Sequence, residues 1–86
     1  MRATVDQALD LIERIDWQRV LLNLRASGLA ASTIAGKADM PVKAAQNLAR
    51  GDSDRPSTLL QAVKLLDIHY ERCPERHSMG ALRRAL

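Results

Sequence analysis

The segment 28–51 constrains the fold more than any other stretch of this chain. Its apolar positions, Leu29, Ile34, Ala35, Ala38, Met40, Ala45 and Leu48, have the spacing of two short helices joined by a tight turn. Gly28 and Gly51 bound the segment, and Pro41 stands where the second helix would begin, a position that tolerates its missing N–H. Ala35 is small at the point where the two helices would cross. This pattern predicts a helix over about 30–38, a turn at Asp39-Met40-Pro41 and a helix ending at Arg50. The second helix would present Val42, Lys43, Gln46, Asn47 and Arg50 outward.

Helices are also expected on both flanks. Thr4 followed by Gln7 has the form of a capping box, and Val5, Ala8, Leu9, Ile12 and Ile15 recur at helical spacing after it. From Trp17 the stripe moves: Trp17, Val20, Leu21 and Leu24 form a face rotated by roughly 130° from the earlier one. Either Asp16 caps a new helix or one long helix serves two neighbours. Both readings put residues 5–15 outside the core that Trp17 helps to build. Ser27-Gly28 ends this helix, with Gly28 as a left-handed cap.

After Gly51, the stretch Asp52-Ser53-Asp54-Arg55-Pro56 has loop chemistry, and Thr58 with Gln61 forms a second capping box. The helix that follows is apolar on more than one side. Leu59, Val63, Leu66 and Tyr70 share one face, and Ala62, Leu65 and Ile68 extend it around the barrel. Such a face either buries against a second subunit or folds under residues 5–15 of its own chain. Met79, Leu82 and Leu86 mark a short final helix beyond Pro74.

No strand-like alternation of β-branched residues interrupts these patterns, and the 86 residues suffice for one small domain. The expected class is all-α, with five or six helices. It divides into an N-terminal helix over 1–16 that is a candidate dimerisation element, a helix-turn-helix domain over 17–72 and a C-terminal tail over 73–86.

Charge is unevenly placed. Residues 1–16 carry two arginines against four acids, whereas residues 17–66 carry seven bases against three acids. A basic middle suits a polyanion, because neutralising phosphates releases counterions, although a mildly basic solvated surface has the same composition. The lone Cys73 excludes an internal disulfide, the start Met1-Arg2-Ala3-Thr4-Val5-Asp6 lacks an apolar signal run, and no apolar stretch is long enough for a bilayer. A cytoplasmic chain with no membrane role is expected.

Catalytic patterns do not emerge. No Ser-His-Asp arrangement, phosphate-binding glycine loop or paired carboxylate cluster is recognisable, so the chain is not expected to be an enzyme, and no cofactor is implied. His69, Cys73 and His77 fall at i, i+4 and i+8, a spacing that metal-binding helices use. Pro74 interrupts that helix. The expectation is therefore no metal, with exposed histidines and a partly buried cysteine.

With these residues in hand, the chain resembles the lambda-repressor/Cro-type helix-turn-helix domains of phage and bacterial regulators. The resemblance spans residues 17–70: Asp16-Trp17 at its start, Gly28-Leu29, Ile34-Ala35 and Leu48-Ala49-Arg50-Gly51 in register, and Arg55-Pro56 before the last long helix. It departs at Asp39, where the turn usually has glycine, and at Ala30-Ala31, where a phosphate-bracing glutamine is usual. Val42 stands where a polar reader is common, and Ala45 is smaller than the usual Ile or Val.

The resemblance implies a sequence-specific, double-stranded DNA-binding transcriptional regulator, repressor-like and phage-associated, acting as a homodimer. The helix starting near Pro41 would enter the major groove. Lys43, Gln46 and Asn47 would read bases, with Val42 against a thymine methyl group. Ser32, Thr33, Arg50 and Arg55 would hold phosphates, with Arg25 and Lys37 adding longer-range attraction. Arg50 also suits a helix C-terminus, and the same polar residues would serve as an ordinary wet helix face. The dimer interface would draw on Val5, Leu9, Ile12, Leu65 and Ile68. The alternatives are a protein-binding module on the same fold (an antirepressor or phage inhibitor of a host protein) and an antitoxin that holds its partner through residues 74–86.

Overall fold

A computed structural model describes residues 12–83, with Met79 described by its backbone alone. Within that range the fold is all-α: α1 (Trp17–Ala26), α2 (Ala31–Ala38), α3 (Val42–Arg50), α4 (Leu59–Arg72), a 3-10 turn (Pro74–Arg76) and α5 (Met79–Leu82). The part of the expected N-terminal helix before residue 12 and the Thr4–Gln7 box lie outside the described residues, as do Val5, Leu9 and Leu86.

Asp16 caps a new helix. Its carboxylate accepts from the Arg19 amide at 3.1 Å, while residues 12–14 form a separate helical end before it. The chain breaks because Ile15 pairs with Arg83 as an antiparallel bridge and the Asp16 amide donates to the Leu82 carbonyl. A continuous helix would have used those groups internally. Ile15 is fully buried in the common core, and Ile12 packs against it, with its carbonyl accepting from Trp17 Nε1 at 2.8 Å. The expectation that the 5–15 stripe stands outside Trp17's core is thus corrected for Ile12 and Ile15, which the chain's bend carries inward.

Each of the next three connections uses one device. Leu29 N–H reaches back to Leu24 C=O at 3.3 Å, Met40 N–H to Ala35 C=O at 3.0 Å and Asp52 N–H to Asn47 C=O at 2.9 Å. The residue between helix and returning amide is left-handed each time: Gly28 at φ 105°, Asp39 at φ 53° and Gly51 at φ 81°. Asp39 is the one non-glycine residue with positive φ among those described. Its side chain is held by Lys64 and its carbonyl accepts from Gln61 Nε2 at 3.3 Å, so the turn between α2 and α3 is fastened to α4. Thr58 caps α4 as the capping box predicts, its hydroxyl accepting from the Gln61 amide at 3.1 Å, while Gln61 Oε1 accepts from the Ser57 amide.

The core joins Trp17, Val20, Leu21 and Leu24 of α1 to Ile34, Ala35 and Ala38 of α2, Ala45 and Leu48 of α3, and Ala62, Leu65 and Ile68 of α4. α1 and α2 each pack on both α3 and α4, and Leu82 of α5 closes the bottom beside α1. One expectation for α4 needs correction. Leu65 and Ile68 are core residues, unable to form a dimer interface without opening the monomer. The face containing Leu59, Val63 and Tyr70 points to solvent instead, joined by Leu60, while Leu66 is half-buried. Periodicity marked two apolar arcs on this helix. The inward one is the arc whose small Ala62 and branched Leu65 and Ile68 fit between α1 and α2. Among the described residues, no helix is long and apolar enough to cross a membrane.

Candidate nucleic-acid interface

α2, the left-handed turn at Asp39 and α3 form a helix-turn-helix, and its second helix is the most sharply two-sided element of the fold. Ala45 and Leu48 are buried, with Ala44 and Ala49 half-buried beside them. Val42, Lys43 and Gln46 are exposed, and Asn47 is half-exposed. These four positions are three or four residues apart in the relevant pairs, so they make one continuous face. Ala35 and Ala45, both buried and small, let α2 and α3 approach closely.

The side chains expected to read bases are not equivalent on this face. Lys43 and Gln46 make no hydrogen bond or ion pair among the described residues, so their polar ends meet water. Asn47 Oδ1 accepts from Arg50 Nη2 at 2.7 Å, and Arg50 Nε lies 3.2 Å from an Asp52 carboxylate oxygen. A bidentate grip on adenine needs both ends of the amide. For Asn47 that grip competes with Arg50, whereas for Gln46 it does not. Val42 is 42% exposed at the start of the helix, leaving an apolar surface of methyl size beside Lys43.

The expected phosphate contacts separate in the same way. Ser32 and Thr33 are exposed in the first turn of α2, and Ala30 before them supplies no side-chain cap. First-turn amides without a cap are donors available to an anion. Arg50 is paired with Asp52 and Arg55 with Glu13. Both pairs are exposed, and such pairs exchange readily for a phosphate.

One contributor escaped the sequence. Gln18, on the exposed side of α1, donates from Nε2 to the Ala49 carbonyl at 3.3 Å, and its amide lies against Gly51, where a Cβ would approach it within 3.2 Å. It therefore positions the C-terminal end of α3. A polar residue at the second position of a helix carries no signal of such a role.

Two clefts lie elsewhere among the described residues, one of about 410 Å³ lined by Ile12, Arg55, Pro56, Ser57, Thr58 and Leu59, the other of about 280 Å³ bordered by Lys37, Lys64, Asp67, Ile68 and Glu71. Neither touches the outer face of α3.

Away from α3, the histidine expectation is corrected. His69 is fully buried, not exposed, and Cys73 is buried as well. The interrupted helix brings His77 back over His69, so that their Nδ1 atoms face each other at 2.9 Å. His69 Nε2 meets Asn23 Nδ2 of α1 at 3.1 Å. Burial holds the His69 imidazole below its ordinary range, His77 and Arg76 push it further down, and Glu75 opposes them. Among the described residues, no group of three or more His, Cys, Asp or Glu side chains is gathered to hold a metal ion.

No protein-family model matches the chain, and no match to it emerges among curated proteins or solved structures.

Proposed function

We propose that this chain is a sequence-specific double-stranded DNA-binding regulator of the lambda-repressor/Cro type. The observation that carries the reading is the outer face of α3, where Val42, Lys43 and Gln46 project together, unengaged, from the second helix of a helix-turn-helix. On this reading α3 lies in the major groove, Gln46 reads adenine, Lys43 reads guanine and Val42 packs on thymine. The first turn of α2, with Ser32 and Thr33, faces one phosphate strand. Asn47 orients Arg50 toward the backbone, a role that replaces independent base reading. The regulator acts in the cytoplasm as a dimer on a two-fold symmetric site. With Leu65 and Ile68 in the core, pairing would draw on the outer face of α4 together with Val5, Leu9 and Ile12 of the N-terminal segment.

A second reading, a protein-binding module on the same fold, draws on a separate observation. Leu59, Leu60, Val63 and Tyr70 are each roughly half or more exposed, at 48%, 59%, 46% and 62%. Exposed apolar groups of this density mark contact surfaces more often than scattered ones do. Selection from a random duplex pool at about 150 mM salt, where non-specific binding is weak, separates the two. An enriched two-fold symmetric motif supports the regulator. Recovery of no motif favours the protein-binding module.

A further inference from the structure

The His69–His77 contact has a proton inventory that the neutral pair satisfies with the Asn23 amide as it stands. Two facing ring nitrogens 2.9 Å apart have room for one hydrogen between them. Asn23 Nδ2 donates to His69 Nε2, which places the proton of His69 on Nδ1, from where it is donated to His77 Nδ1. His77 then carries its own proton on Nε2. Both contacts, from Asn23 to His69 and from His69 to His77, are thus made without a charge.

Adding protons undoes this order in two steps. A proton on His77 Nδ1 must point at His69, which then has to move its own proton to Nε2 and turn the Asn23 amide around. A second proton puts N–H groups on both facing nitrogens, and the rings must part. No carboxylate bonds to either ring among the described residues. The charged and titratable groups around the pair are Tyr70 on α4, whose ring stands edge-on to His77 at 5.2 Å, Cys73 at the end of α4, and Glu75 and Arg76 in the 3-10 turn. The facing group from α1 is the uncharged Asn23. Cys73 is itself turned toward α1, its Sγ lying 3.6 Å from the Asn23 carbonyl.

What the pair holds is the path of the chain after α4. From His77 the backbone runs through the Ser78 cap into α5, where Leu82 is fully buried and its carbonyl accepts from the Asp16 amide. We propose that the His69–His77 contact is a proton-operated latch, whose opening in mild acid releases residues 74–83 from α1 while α2 and α3 stay folded. The direction follows from the His69 environment. A buried imidazole whose folded pKa is depressed contributes its full stabilisation above the free value of about 6.5, and that stabilisation is lost as pH falls from there toward the depressed value.

Backbone hydrogen exchange on the whole chain, corrected for the intrinsic effect of pH, tests the latch. Between pH 7.5 and 5.0, protection of the Asp16 amide should fall by about tenfold or more, because the open form binds protons that the closed form excludes. Protection of the Leu48 amide inside α3 should stay within about threefold. His77→Gln, which hydrogen-bonds but does not titrate, should reduce the Asp16 change to under about threefold. Constant Asp16 protection, an equal loss at Leu48, or an undiminished loss in His77→Gln overturns the proposal. If that variant does not fold, ¹⁵N spectra of the histidine rings in the unaltered protein at pH 7.5 decide instead. Opposite tautomers on the two rings support the latch, and Nε2–H on both rings overturns it.

Discussion

Asp39 occupies a conformation that glycine adopts at no steric cost, and its side chain and carbonyl explain why aspartate stands there. The left-handed backbone costs an ordinary L-residue roughly 1–2 kcal/mol, less for Asp, which tolerates this region. Lys64 on the carboxylate and Gln61 on the carbonyl offset that cost and tie the turn to α4. Asp39→Ala retains the strain and loses the ion pair, so it should destabilise by about 1–2 kcal/mol in urea melts. Asp39→Gly loses the pair but relieves the strain, and should fall within about 0.5 kcal/mol of the original. Equal losses in both variants would show that the side-chain contact, rather than the backbone, dominates. The sequence made this turn legible because aspartate is among the few residues that accept it. It could not reveal Lys64, which lies 25 positions away.

At the level of the element, α3 was readable and α4 was not. The buried pair Ala45 and Leu48 and the polar set opposite leave one way to place α3, so its outer face follows from periodicity. On α4 the two apolar arcs are chemically alike, and which one turns inward depends on where α1 and α2 already lie. His69 was misjudged for the same reason, since the arc that includes Leu65 and Ile68 carries it against Asn23 of α1. The bonding on α3 also ranks its side chains. At a selected site, Gln46→Ala should cost about 1–3 kcal/mol and relax preference at one base pair. Lys43→Ala should weaken binding by a similar amount at guanine, or else lower the salt slope by about one if it meets a phosphate. Fluorescence anisotropy at two or three salt concentrations separates these outcomes, and unchanged affinity in both variants would remove α3 as the reading helix.

Across the whole molecule, the segment after α4 belongs to the fold. Its anchor, Leu82, is as fully buried as Trp17 and packs in the same core. Leu82→Ala should therefore cost about 2–5 kcal/mol, a fall in Tm on the order of 10 °C or more for a domain of this size. A thermal melt within a degree or two of the original would mean that the tail is dispensable. A partner held through residues 74–86 would meet the exposed side chains around this anchor, such as Glu75, Arg76 and Arg83. The short final helix expected beyond Pro74 is present as α5, but how deeply its one leucine is fastened in the core carries no signal in a run of four helical residues.

The bridge between Ile15 and Arg83 brings the strand that leads into the fold alongside the strand that leads out. Paired antiparallel residues sit about 5 Å apart, which is the gap across a tight surface loop in almost any protein. The body spanning 15–83 is therefore shaped like a pendant on a closed ring. Spliced between two neighbouring residues of a carrier's surface loop, it should fold without pulling the carrier apart, and the carrier should keep its own melting transition. Such a splice would turn an isolated helix-turn-helix body into one that any rigid host can display at a chosen spacing.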